Sequence, residues 1–287
     1  MQKGQEEESM LLFPVLSILT SFFYINDPVV DMREKPTQES KVESQVIFSE
    51  RIRVEKEDGE WSYIVSSDGN VGWVRSNSYV SLEKPYLPSF KVSRLKAHIY
   101  GLKDIEYGPI ITLPYGSRLQ AMPETDVRWT TVLLPDGQVG YIQNGDIAPE
   151  APLRQKGDLV HFSQRFLGLP YTWGGRSSFG YDCSGFVQML YAQIGVDLQR
   201  NSGQQILDPR LQKIGMEDLA LGDLIFFGKS EQRIMHVGMY IGEGNFIHSS
   251  AREYRPWLRI SNLADLEWSG SSGVYYPYRT FRKLIEK

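Results

Sequence analysis

The chain has 287 residues, 41% of them hydrophobic and 23% charged, an ordinary composition for a soluble globular protein of two or three domains. A net charge of −4 supplies no broad basic surface and argues against nucleic acid as a partner. One cysteine excludes an intrachain disulfide and any cysteine-clustered zinc site, and the four histidines contain no HExxH-type spacing, so no metal or cofactor is expected.

In chain order, Leu11–Ile25 (LLFPVLSILTSFFYI) is apolar enough to suggest the core of a signal peptide. The residues before it are acidic, and no small-residue cleavage site stands out. The run is too short, and too interrupted by Pro14 and polar residues, to span a membrane. The expectation is an N-terminal segment (1–28) packed on the first domain of a cytoplasmic protein, with export to the cell envelope the alternative if this run acts as a signal. Short strands follow over 29–84, punctuated by Asp58-Gly59 and Asp68-Gly69 turns. The pattern Asp58…Trp61…Asp68-Gly69…Val71-Gly-Trp-Val returns as Asp126…Trp129…Asp136-Gly137…Val139-Gly-Tyr-Ile, displaced by 68 residues at each position. A constant offset across turn and core positions marks an internal duplication, with the second unit over 88–149. The repeated DG-x-VG-aromatic signature resembles the bacterial SH3-like domain, a small all-β barrel.

Glu150–Leu153 reads as a linker into a third domain (153–287) of α+β pattern, helices first and an antiparallel sheet after. An amphipathic helix is expected over Gln155–Leu167. The stretch Pro170–Phe186 (PYTWGGRSSFGYDCSGF) then delivers the lone Cys183 to the start of an apolar helical run. A helix N-terminus carries partial positive charge and unpaired N–H groups, which favour thiolate over thiol, so Cys183 is the candidate nucleophile. A nucleophile of this kind needs a base and a group to orient it. His236 and His248 flank one glycine turn on neighbouring strand patterns, and are read as base and orienting residue in a papain-like plan. A plain two-residue turn at Glu243-Gly244 would pair His248 with Met239 and hold it about three rungs from His236, so a longer loop, a bulge or strong twist is required. His161, on a helix without such context, is read as an ordinary surface or core residue.

Five motifs occur in order: Pro170-Tyr-x-Trp-Gly-Gly, Tyr181-Asp-Cys-Ser-Gly-Phe, Leu221-Gly-Asp-Leu, His236-Val-Gly-x-Tyr-Ile-Gly and Phe246-Ile-His. Together they resemble the NlpC-type family of cell-wall cysteine peptidases. With two SH3-like domains ahead, the chain resembles more narrowly the gamma-D-glutamyl-L-diamino-acid endopeptidases. The resemblance implies Cys183, His236 and His248 as the catalytic set, and Tyr171 as partner to the Cys183 N–H in holding the oxyanion. It implies that Trp173 walls the cleft and that Asp182, Ser184, Arg200 and Ser202 contact an L-Ala–D-Glu unit. Asn201 stands where the subfamily more often has Asp. It further implies an acid and a tyrosine from the first barrel, here Glu34 and Tyr63, to pair with the free L-Ala amine. The expected activity is cleavage of the gamma-D-glutamyl–diamino acid bond of peptidoglycan-derived peptides by a monomer without a metal. The alternatives are a hydrolase or amidase on intact wall with the barrels as anchors, and a non-catalytic binding module.

Overall fold

The computed structural model describes residues 21–123, 125–150, 154–270 and 275–285. Most of the apolar N-terminal run, and most of the expected linker, lie outside them.

The first barrel has seven strands: β1 (Phe22–Ile25), β2 (Val29–Arg33), β3 (Val42–Ile47), β4 (Arg51–Asp58), β5 (Trp61–Val65), β6 (Val71–Arg75) and β7 (Tyr79–Leu82). They lie in the order β3-β2-β6-β5-β4-β1-β7. The second comprises β8 (Phe90–Val92), β9 (Lys96–Tyr100), β10 (Pro109–Pro114), β11 (Arg118–Ala121), β12 (Trp129–Leu133), β13 (Val139–Gln143) and β14 (Ile147–Pro149). Its order, β10-β9-β13-β12-β11-β8-β14, is the first order with every label raised by seven. The duplicated signature is therefore a duplicated topology. The glycine in the repeated VG-aromatic motif has the same work in both copies. A Cβ on Gly72 would sit 2.9 Å from Met32 Cβ, and one on Gly140 would sit 2.4 Å from Ile99 Cγ2. Each glycine lets its strand lie close against a neighbouring core strand.

The expected boundary at Val29 is too late. Strand β1 pairs with both β4 and β7, and buries Tyr24 and Ile25. Four residues with no clear alternation carry little sequence signal, yet the sheet order needs them between β4 and β7.

The third domain contains α1 (Asp158–Gln164), the ribbon β15 (Arg176–Ser177) and β16 (Gly180–Tyr181), α2 (Cys183–Ala192) and α3 (Ser202–Gln205). Its main sheet is built from β17 (Leu211–Ile214), β18 (Leu224–Ser230), β19 (Arg233–Gly242), β20 (Asn245–Ser250), β21 (Trp257–Asn262) and β22 (Tyr278–Leu284), ordered β17-β22-β18-β19-β20-β21. Helix α1 is shorter than its apolar pattern, because Gly157 gives it no side-chain cap and Gly168 turns the chain at φ +84°. Strand β18 is buried on both faces: Leu224 and Phe226 join Phe186 and Leu190 of α2, whereas Ile225 and Phe227 join Phe246 and Trp268. Truncating a fully buried phenylalanine in such a core costs about 3–5 kcal/mol.

A partly buried cation ties the first barrel to this domain. Arg176 donates to the Gln45 carbonyl at 2.7 Å and to Gln188 at 3.1 Å, and lies 3.4 Å from Glu50 and 3.3 Å from Asp68. Burial would raise the Asp68 carboxyl, but Arg176 and hydrogen bonds from Ser66 and Asn70 outweigh it and hold it at about 2. A depressed carboxyl contributes stability that is present above its unfolded pKa of about 3.9 and lost as pH falls toward 2. Arg176→Ala is expected to destabilise the protein by about 3 kcal/mol at pH 7, because it leaves two carboxylates uncompensated. The variant should also lose part of the wild-type decline between about pH 4 and 2. Urea denaturation at pH 7 and along an acid series checks both, and an unchanged midpoint at pH 7 contradicts the assignment.

Candidate active site

Cys183 is the first residue of α2, and Asp182 caps that helix by accepting from the Gly185 N–H at 2.7 Å. The cap is held from behind. Arg200, 1% exposed, donates to Asp182 Oδ1 at 2.9 Å, again to Oδ2, to Ser184 Oγ at 3.0 Å, and across the domain boundary to Ser44 Oγ at 3.1 Å. A bidentate arginine–carboxylate pair fixes both partners in geometry, and here it fixes the turn that presents the thiol. Gly175 and Gly185 are dictated by close approach: a Cβ on Gly185 would sit 2.2 Å from the Gly175 carbonyl oxygen.

The two histidines meet because the β19–β20 hairpin is not regular. Gly242 pairs with Asn245, but Tyr240 pairs with Phe246 and Met239 with Ile247, so Ile241 is an extra residue on β19. That bulge shifts the register by one. It carries His248 from the face of Met239 to the face of Gly238 and His236. Gly238 then leaves the necessary space, since a Cβ there would lie 2.7 Å from the Phe246 ring and 3.2 Å from His248 Cβ. In this arrangement His236 Nε2 lies 2.8 Å from His248 Nδ1, and His248 Nε2 lies 3.0 Å from Ser261 Oγ. Both histidines are buried. Tyr276 stacks parallel to His236 at 5.8 Å, and Trp268 packs against both imidazoles at 5.3 and 4.8 Å.

With Nε2 engaged by His248, the nitrogen of His236 without that partner is Nδ1. A consistent donor chain follows: His236 Nε2–H donates to His248 Nδ1, and His248 Nε2–H donates to Ser261, which leaves His236 Nδ1 unprotonated.

The thiol is not a resting thiolate, contrary to the reading from the helix terminus alone. Cys183 is half-buried. Burial, then the charge of Asp182, push it up to about 12, against lowering contributions from the Val237 N–H, Arg200 and the Ser184 N–H. His236 is pushed down to about 3 by burial and by the positive charges of Arg259 and Arg252. His248 falls well below its ordinary value through burial, His236 and Arg259. Both shifts favour a neutral thiol beside a neutral imidazole.

The other residues singled out by the sequence divide into two groups. Tyr171 is near the thiol: burial first, then the charges of Cys183, Asp182 and Tyr276, raise its phenol, so it is a neutral donor. Trp173 is 70% exposed while its indole N–H donates to the Val42 carbonyl at 2.9 Å, which ties the cleft rim to the first barrel. Ser184, Ser202 and Arg200 are buried in the support of α2 and α3, whereas Asn201 is exposed at the start of α3. Glu34 is exposed beside that rim, its N–H bonded to the Lys41 carbonyl next to Val42, and its carboxylate has no hydrogen-bond or ion-pair partner among the described residues. Tyr63 packs on Trp73 at 5.3 Å under Lys56, with no hydrogen bond to Glu34 or Cys183 among the described residues. His161 is exposed on α1. Among the described residues no cluster of three or more His, Cys, Asp or Glu could hold a metal ion, and no helix is long and apolar enough to cross a membrane. The sequence reading missed Ser261, Trp268, Tyr276 and Arg176, which act through tertiary packing and belong to no local motif.

A cysteine at the start of a helix that packs on the two strands bearing a histidine pair is the plan of a papain-like thiol hydrolase. The comparisons agree and narrow it. The NlpC/P60 family model matches residues 168–270, and the bacterial SH3 domain model matches residues 28–81. The gamma-D-glutamyl-L-lysine dipeptidyl-peptidase of Bacillus cereus is 30% identical over 76% of this chain and 70% of its own length. The protein of the same name from Bacillus subtilis is 34% identical over 72% of each. A crystal structure of an NlpC/P60 family protein from Bacillus cereus shares the fold, with a TM-score of 0.77 over 93% of this chain and all of that one, at 24% identity. The chain belongs to the NlpC/P60 family of cysteine peptidases.

Two outcomes test the site. Gly238→Ala should drive His248 from His236 and lower kcat about 100-fold with an unchanged circular dichroism spectrum, the usual scale for ångström misplacement. An unaltered kcat contradicts the role of the glycine. The second concerns pH. Both histidines are neutral when folded, but bind protons below about pH 6.5 when unfolded. Their contribution to stability is therefore full above about pH 6.5 and is lost as pH falls, by up to about 1.4 kcal/mol per pH unit for each histidine. His248→Gln should remove one proton's worth of that slope between pH 7 and 5 in denaturant titrations, and an unchanged slope contradicts the buried neutral assignment.

Proposed function

We propose that the protein is a cysteine endopeptidase that hydrolyses the gamma-D-glutamyl–diamino acid bond of peptidoglycan-derived peptides bearing a free N-terminal L-Ala. Cys183 Sγ attacks the gamma-carbonyl carbon of D-Glu as its proton passes to His236 Nδ1. The oxyanion is received by the Cys183 N–H and the neutral Tyr171 hydroxyl, donors aimed at charge that develops only in the transition state. His236 then returns the proton to the leaving amine, and the dipeptidyl thioester is hydrolysed by water with His236 as base. His248 and Ser261 hold the imidazole in the tautomer that this cycle needs.

The observation that carries the specificity is the seating of the first barrel on the cleft rim. The Trp173 indole bonds to Val42, and a Cβ on Gly174 would lie 2.7 Å from the Val42 side chain, so the rim and the barrel are in close contact. The unpartnered Glu34 carboxylate beside this contact suits a peptide ammonium group. A peptide whose amine is acylated by the glycan would leave that acid unpaired and meet the barrel wall. The two Bacillus relatives, by name dipeptidyl-peptidases of gamma-D-glutamyl-L-lysine, support the same bond. Such an enzyme acts on freed peptides in wall turnover or recycling. Cleavage of L-Ala–gamma-D-Glu–L-Lys and its N-acetyl form, followed by mass spectrometry, is the test. The wild type should release L-Ala–D-Glu from the free-amine peptide, and Cys183→Ala should release none. Glu34→Ala should lose about tenfold in kcat/KM on the free-amine peptide and far less on the acetylated one. Equal losses remove Glu34 from amine recognition, and efficient cleavage of glycan-linked stems favours a hydrolase of intact wall.

A further inference from the structure

We propose that Arg252 is the specificity-determining residue for the leaving side of the cleft, receiving a free carboxylate on the diamino acid that departs. The inference rests on the reaction proposed above. In that reaction the departing nitrogen collects its proton from His236, so the leaving residue must lie against the histidine side of the site. The acyl side is already defined by the Tyr171, Asp182 and Trp173 stretch. On the histidine side the ring next to the catalytic pair is Tyr276, buried and stacked on His236 at 5.8 Å with only 4° between the planes. The Arg252 guanidinium rests 5.6 Å from the Tyr276 ring and 5.1 Å from the Tyr275 ring.

The arginine is thus held in place without being neutralised. Two aromatic faces restrain its stem and plane. Among the described residues no carboxylate pairs with it, and it is exposed. The two other arginines of the segment differ: Arg259 is buried and donates to the carbonyls of Ser250 and Arg255, while Arg255 shows no contact with the aromatic pair. A planar guanidinium with open N–H groups is matched to a carboxylate, which it can take with two parallel hydrogen bonds. A peptide that ends at the diamino acid presents such a group one residue beyond the scissile bond, whereas an amidated or extended peptide presents a neutral carbonyl there. The site should therefore favour the peptide that ends at the diamino acid.

The test compares L-Ala–gamma-D-Glu–L-Lys with the same peptide as its C-terminal carboxamide, using wild type, Arg252→Ala and Arg252→Lys. The wild type should favour the free acid by on the order of tenfold in kcat/KM, mainly through KM. In Arg252→Ala the ratio should collapse toward one, and in Arg252→Lys it should be partly restored, because a point charge keeps attraction but loses the fork. A purely structural role would slow both peptides together and leave the ratio intact. A wild type without preference, or an Arg252→Ala variant that keeps the ratio, overturns the inference while the proposed reaction stands. If the wild type cleaves neither peptide, the proposed reaction fails and the inference falls with it.

Discussion

The buried pair of Asp182 and Arg200 is the interaction on which the rest depends. Asp182 caps α2 and so sets Cys183 at the first helical position. Arg200 holds that carboxylate, positions Ser184, and reaches Ser44 in the first barrel. One guanidinium therefore links the nucleophile's helix, the segment before α3 and a neighbouring domain. The pair gains its value from geometry. Burying both charges costs several kcal/mol each, and the return is a fixed arrangement rather than net stability. The residues that the family resemblance assigns to substrate contact are thus first of all the frame of the helix terminus.

The opposite wall of the site is built from sheet irregularity. One extra residue at Ile241 and one missing side chain at Gly238 place two imidazoles in line. Aromatic rings then enclose them, and the enclosure keeps both neutral. In the proposed reaction a neutral chain from thiol to Ser261 avoids a buried charge at rest, and moves a proton only when a carbonyl is there to receive the sulfur. The same enclosure opposes the pull of the helix terminus on the thiol. Burial is the larger effect, and Asp182 adds to it.

Much of this was legible in the sequence. The duplication, the α+β third domain and the order of its motifs follow from turn residues, constant spacing and a cysteine at a helix start. That a plain two-residue turn would hold His248 about three rungs from His236 also followed from the sequence, which left a longer loop, a bulge or strong twist open; the structure has the bulge. What stayed hidden has a common physical character. Strand β1 is four residues with no strong pattern, stabilised by partners on both sides. Trp268, Tyr276 and Ser261 reach the histidines from separate stretches of chain, and Arg176 reaches a different domain. None has a local signature, because their roles arise only when distant segments pack. The resting protonation of Cys183 was misread for the same reason: the helix terminus is local and visible, while the burial that outweighs it is tertiary.

The central claim is that Cys183, served by the buried histidine pair, carries the acyl dipeptide. Acid quenching the enzyme during turnover of L-Ala–gamma-D-Glu–L-Lys, followed by peptide mapping with mass spectrometry, measures it directly. The account predicts an L-Ala–gamma-D-Glu adduct on the Cys183 peptide, absent when hydroxylamine is added before mapping. Peptide cleavage in wild type with no adduct, and with Cys183→Ala equally active, would contradict it.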